Sequence, residues 1–233
     1  MEHPRRRVYG RRLGYRLRPA RQALLERVLP RLRIDLPEDE RAQLDVARLF
    51  TAPPADLWLE IGFGGGEHLA QQLRANPDVG IIGCEPFVQG VAALLSRLEA
   101  DGTGDRARLF PDDGRLLLER LPDASIGRLF VLFPDPWPKK RHHKRRLIDA
   151  ETLAGFARVL KDGAEFRWAS DDRDYVAWTL ERVAANGAFA RQEISGGDAG
   201  LLRPVDWPET RYEQKARAAG RVPVFLRFLR IPR

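Results

Sequence analysis

The chain has 233 residues, 43% of them hydrophobic, a single cysteine and a formal net charge of +7. At roughly 100–200 residues per domain, that is one α/β domain with an extension or two small domains. The apolar content excludes a chain disordered throughout, and one cysteine excludes a disulfide framework or a Cys-based zinc site. Apolar runs such as Leu129–Phe133 fall far short of the ~20 residues a membrane span needs. No charged start leads into an apolar run either, so a signal peptide is not expected and the chain reads as a cytoplasmic protein.

In chain order, residues 1–21 hold eight arginines against Glu2. Within them Arg5–Arg18 lacks apolar periodicity and is expected to form a flexible basic arm. After Pro19, the residues Leu24, Leu25, Val28, Leu29 and Leu32 recur at helical spacing, and Pro53-Pro54 breaks the chain. Residues 1–50 therefore read as an arm plus amphipathic helix, and 51–233 as the main domain. There, strands are predicted at Asp56–Ile61, Val79–Cys84, Ala107–Phe110, Arg128–Phe133, Ala164–Ala169, Phe189–Ile194 and Val222–Leu229. Helices are predicted at Glu67–Ala75, Phe87–Ala100, Gly114–Leu121, Arg146–Leu160 and Arg173–Asn186. Repeated βα units of this length specify a parallel sheet covered on both faces. In such sheets the ligand lies beyond the carboxyl ends of the strands.

Those ends carry acids. The first strand runs into Glu60-Ile61-Gly62-Phe63-Gly64-Gly65-Gly66, where glycine permits a tight turn and close backbone approach. Glu67 occupies the position where a dinucleotide fingerprint wants glycine or alanine, and the acid two residues before the first glycine, Glu60, repels a pyrophosphate but attracts a cation. Glu85 ends the second strand, Asp112 and Asp113 follow the third, and Asp135 follows the fourth. Of the adjacent pair, one is expected to face the ligand while the other caps the next helix. A ligand with a ribose, an amine and a positive sulfur suits this rim, which points to S-adenosyl-L-methionine. Without a histidine partner, the acids make a poor transition-metal site, and no metal is expected.

Phe133-Pro134-Asp135-Pro136-Trp137-Pro138 reads as a rigid loop carrying a carboxylate beside a flat aromatic that either stacks on a base or fills the core. It enters Lys139–Arg146, six formal positive charges in eight residues, and residues 211–233 add seven basic residues against Glu213. Three basic segments on an otherwise acidic body suggest a polyanion-binding surface. His142 and His143 lie inside the cationic run and no acid is expected near them, so they read as solvent- or RNA-facing. Trp58, Trp168 and Trp178 are expected in the core.

On Glu60–Gly66, Gly83-Cys84-Glu85, Asp113-Gly114, Phe133–Arg146, Ser170-Asp171 and Thr210–Glu213, the chain resembles the bacterial tRNA (guanine-N7)-methyltransferases over nearly its whole length after the arm. The resemblance implies a Rossmann-like class I methyltransferase. Its fold is a seven-stranded, mostly parallel sheet with the last strand antiparallel and helices on both faces. It implies methyl transfer to N7 of a guanine in tRNA, at guanosine 46 of the variable loop. By the same likeness Glu60, Gly62, Gly64, Gly66, Glu85 and Asp113 bind the cofactor and Asp135 is catalytic. Lys139, Asp171, Thr210, Arg211, Tyr212 and Glu213 join Asp135 in contacting substrate. Lys140, Arg141, Lys144, Arg145 and Arg146 are expected along the RNA backbone. No obligatory protein partner is implied, only a monomer or homodimer. Arg211 stands where the family has lysine, Ser170 where threonine is common, and Gly114 where alanine is usual. The competing readings are a class I methyltransferase with another substrate, a non-catalytic RNA-binding protein, and an oxidoreductase, which the loop spacing disfavours.

Overall fold

A computed structural model describes residues 12–14, 16–192 and 201–233. Most of the expected arm and the end of the predicted strand Phe189–Ile194 lie outside the described residues. The chain opens with α1 (Pro19–Arg27) and α2 (Leu29–Leu32) and then alternates. The order is β1 (Asp56–Ile61), α3 (Glu67–Ala75), β2 (Val79–Cys84), α4 (Val88–Asp101), β3 (Ala107–Phe110), α5 (Gly114–Leu118) and β4 (Ile126–Leu132). There follow α6 (Ala150–Val159), β5 (Leu160–Ser170), α7 (Arg173–Asn186), β6 (Phe189–Gln192), α8 (Arg211–Ala218) and β7 (Val224–Arg230).

The seven strands lie in the order β3-β2-β1-β4-β5-β7-β6. β1 pairs in parallel with β2 and β4, as do β2 with β3 and β4 with β5, while β7 runs antiparallel between β5 and β6. The sheet is the one the resemblance implied. The strand order reverses between β1 and β4, so the crevice at their carboxyl ends is where such folds take a ligand.

Side chains alternate across each strand. Leu57, Leu59 and Ile61 of β1 enter the core packed by Leu153 and Phe156 of α6 and Tyr175 of α7. Trp58 points the other way, into a core with Phe130 of β4, Leu69 and Leu73 of α3 and Leu94, Leu95 and Leu98 of α4. Leu24 and Leu32 bury against this second core, and α1 packs on α4. Just beyond α2, the Ile34 N–H donates to the Leu109 carbonyl at 2.8 Å, shielding the β3 edge from further strand pairing.

The predicted elements hold except at particular ends. The helix expected from Arg146 starts at Ala150, because Asp149 caps it by accepting from the Thr152 N–H at 2.7 Å. The cationic run before it winds as a 3-10 turn, Lys140–Arg145. β5 begins at Leu160, which pairs with Ile126 across a register shift. α8 was not anticipated, since its single buried apolar side chain, Ala216, leaves no apolar stripe.

Candidate active site

Alternation along β1 puts Glu60 on the same face as Trp58, toward α3. There its Oε2 lies 2.7 Å from Nδ1 of His68, and both residues are almost fully buried. Sequence reasoning missed His68; its signal was a histidine on the first turn of α3, a helix whose remaining inward positions are apolar or amide. At the end of β2, the Glu85 carboxylate accepts from the Gly64 N–H at 2.8 Å and the Phe87 N–H at 2.9 Å. Burial raises the Glu85 carboxyl pKa, those two amides pull it back, and the negative Asp135 and Glu60 raise it again. Glu60 and Asp135 are therefore both within electrostatic reach of Glu85.

Gly62, Gly64 and Gly66 all adopt positive φ. At Gly64 the requirement is twofold: the left-handed backbone, and the Tyr212 ring, whose edge would lie 3.0 Å from an added Cβ. Tyr212 thus folds α8 over the glycine loop, and burial together with Glu85 and Asp135 raises its hydroxyl pKa. Glu60, Gly62, His68, Phe133, Thr210 and Tyr212 line a narrow cleft. Thr210 caps α8 by accepting from the Glu213 N–H at 3.2 Å. Glu213 is buried and held by Arg203 and Arg217.

Asp135 follows β4 on the proline loop and keeps solvent access, yet the surrounding protein displaces enough water to raise its pKa. Trp137 is neither core nor free. It is half-buried, edge-on to His142 at 5.9 Å, with the Arg145 guanidinium 5.0 Å from its ring centre. At the third strand end the pair divides. Asp113 caps α5 and binds the Arg115 guanidinium through both oxygens. Asp112 is half-buried and paired with Arg12 at 2.5 Å. Arg12 also accepts from the Val88 N–H, so this piece of the arm crosses the ends of β2 and β3.

Asp171, after β5, is engaged by Arg221 at 2.5 Å. Lys139, Lys140, Arg141, Lys144 and Arg211 are exposed. Arg146 is a correction: expected on the RNA backbone, it is only 1% exposed and bound inside the protein. A second correction concerns His143. An acid does stand near it, Asp174 of α7, 3.8 Å away, and its ring meets Trp178 edge-on. Of the tryptophans expected in the core, Trp58 and Trp168 are buried, while Trp178 is partly exposed on α7.

A family sequence model described as "Putative methyltransferase" matches residues 54–226. A tRNA (guanine-N(7)-)-methyltransferase of Paramagnetospirillum magneticum is 52% identical, covering 97% of this chain and 93% of the relative. One of Rhodospirillum rubrum is 53% identical over 97% and 89%. The chain belongs to the tRNA (guanine-N7)-methyltransferase family. Among solved structures, the 16S rRNA methyltransferase KamB superposes with a TM-score of 0.53 at 19% identity, over 77% of this chain and 89% of that one. A point mutant of the 16S rRNA (adenine(1408)-N(1))-methyltransferase from Catenulisporales acidiphilia, solved with its cosubstrate SAM, gives 0.51 at 18%, over 77% and 87%. At these identities the likeness speaks for the fold, a class I methyltransferase sheet. Among the described residues of this family member, no helix is long and apolar enough to cross a membrane.

Proposed function

We propose that this methyltransferase moves a methyl group from S-adenosyl-L-methionine to N7 of a guanine in tRNA, at guanosine 46 of the variable loop. The observation that carries the reading is the set of three carboxylates, Glu60, Glu85 and Asp135, around a glycine-rich turn with positive φ at Gly62, Gly64 and Gly66. The charges of Asp135 and Glu60 disfavour ionised Glu85, and a cationic ligand relieves that. The donor set fits the cofactor: carboxylates for an ammonium and ribose hydroxyls, a backbone cradle at Gly62, Gly64 and Gly66, and no run of free amides for a pyrophosphate. Glu60, locked by His68, and Glu85 would hold it. At the third strand end Asp113 joins them as the cofactor contact while also capping α5 and pairing with Arg115, and its neighbour Asp112 is paired with Arg12. When bound, the cofactor supplies an electrophilic methyl on a sulfonium.

Guanine N7 is an acceptor without a proton, so no general base is required. The protein's task is to align the base, and orientation alone lowers a barrier by roughly 7–11 kcal/mol. Asp135 accepts hydrogen bonds from the Watson–Crick edge of the guanine, N1–H or the amino group, and stabilises the positive charge that grows on the purine. Adenine, with an acceptor at N1, is disfavoured by the same carboxylate. Thr210, Arg211, Tyr212 and Glu213 place α8 against the base from the other wall. Lys139 and Asp171 flank the entrance, and Lys140, Arg141, Lys144 and Arg145 face the RNA backbone. Residues 1–50 serve as a basic arm plus amphipathic helix and 51–233 as the catalytic domain, acting in the cytoplasm with tRNA and without an obligatory protein partner. Asp135→Ala should lower kcat for methylation of tRNA by about 10²–10³-fold or more with calorimetric affinity for the cofactor retained. Wild-type turnover would remove Asp135 from the chemistry.

A further inference from the structure

Asp135 sits in a loop that has few hydrogen bonds of its own. Pro134, Pro136 and Pro138 lack N–H donors. Phe133 and Trp137 on either side adopt positive φ, 53° and 45°, conformations that persist in non-glycine residues only where the surroundings impose them. Two contacts impose them here. Upstream, the Phe133 N–H donates to the Ala169 carbonyl of β5 at 2.8 Å. Downstream, Nε of Arg146 donates to the Pro136 carbonyl at 2.8 Å. Asp135 lies between these anchors.

Arg146 is built to hold its end. Its Nη2 reaches Asp174 on the first turn of α7 at 2.5 Å, and this hydrogen bond lowers the Asp174 carboxyl pKa. Its guanidinium lies 4.9 Å from the ring centre of Tyr175 and 4.8 Å from that of Trp178. Both rings are themselves pinned: the Tyr175 hydroxyl accepts from the Ile148 N–H and the Trp178 indole donates to the Ile148 carbonyl at 2.7 Å. One planar fork thus joins the loop to α7 while filling an aromatic slot. A lysine ammonium keeps the charge but loses the fork and the stacking plane.

We propose that Arg146 is a positioning residue that fixes Asp135 through the Pro136 carbonyl, rather than a contact to RNA phosphate; the inference rests on the catalytic reading of Asp135. The test uses the full chain with Arg146→Lys, Asp174→Asn, Asp135→Asn and the double variant of Arg146→Lys with Asp135→Asn. Turnover is measured at saturating tRNA and cofactor, alongside calorimetric cofactor affinity, the salt dependence of tRNA binding and thermal unfolding. Arg146→Lys should lower kcat by about 10²-fold, the scale of a 1 Å misplacement, leaving cofactor affinity and the salt slope as in the wild type. Asp174→Asn should lower kcat in the same direction by less, and it carries the test should Arg146→Lys fail to fold. In the Asp135→Asn background, Arg146→Lys should add little, because residues acting as one unit are not additive. Unchanged kcat with a salt slope reduced by about one phosphate contact would overturn the proposal, as would full additivity in the double variant. If Asp135→Asn itself turns over normally, the catalytic reading falls; if Asp135→Asn is inactive and Arg146→Lys is fully active, only the positioning role falls.

Discussion

Glu85 shows how the pocket's charge is arranged one residue at a time. Its carboxyl pKa is raised above the ordinary value because burial and the neighbouring Asp135 and Glu60 outweigh the two amides that stabilise the anion. A raised carboxyl pKa means the folded protein holds that proton more tightly than the unfolded chain. The group's contribution to stability is therefore full below the ordinary carboxylate range and is lost as pH rises through the raised pKa. A cationic ligand reverses the sign, since it binds the ionised form. Cofactor affinity should accordingly strengthen as pH rises through the raised Glu85 pKa, with protons released on binding. Calorimetry in buffers of different ionisation enthalpy checks this, and Glu85→Gln should abolish the Glu85 share of the release. His68 acts at the same scale: His68→Phe removes the hydrogen bond to the buried Glu60 carboxylate, and binding of the cofactor should weaken by about tenfold or more, the scale of one hydrogen bond to a charged group at roughly 1.5–3 kcal/mol. Unaltered affinity in an isothermal titration would exclude it. The strand-end position of Glu60 was legible in the chain; its partner was not, because only the packing of α3 on β1 brings residues eight apart into contact.

Among the elements, the glycine turn and α4 are fitted to each other. Gly90 lies in the first turn of α4, and a Cβ there would overlap the Gly64 carbonyl. Gly90→Ala should therefore push the turn that carries the Glu85 hydrogen bond, costing roughly 1–3 kcal/mol by overpacking. The expected result is a lowered melting temperature together with weaker cofactor binding, and a normal value for either would contradict the fit. β1, α3, β2, β3 and α7 were readable to their ends because apolar runs, glycine turns and cap residues agree on the same boundaries. The helix after Lys139–Arg146 was read too long, since a charged stretch has no apolar period to mark where Asp149 intervenes. α8 was invisible for a related reason: it is stabilised by the Thr210 cap and by Arg203 and Arg217 around Glu213, ion pairs that local periodicity does not encode.

The whole molecule opposes a negatively lined crevice to a cationic rim. Lys139, Lys140, Arg141 and Lys144 are exposed directly beyond the Asp135 loop, and on the proposed reading phosphate contacts there accompany delivery of a base into the crevice. Binding of tRNA should weaken steeply with salt, and Arg141→Ala with Lys144→Ala should reduce the slope of log K against log salt by about two. A slope unchanged by the double substitution, measured by filter binding across a salt series, would place the RNA on another face. Arg146 is excluded from that count by its burial, although Lys144, two residues before it, is exposed.

The order of residues alone determined the βα alternation, the acids at four successive strand ends and the basic stretch after Asp135, because each is set by local periodicity and by where the strands stop. Tertiary structure decided which of these side chains are free. A guanidinium in a run of eight becomes an internal brace only when α7 presents two aromatic rings and a carboxylate to it. Burial and partnership are properties of contacts between distant segments, and no single stretch of chain contains them.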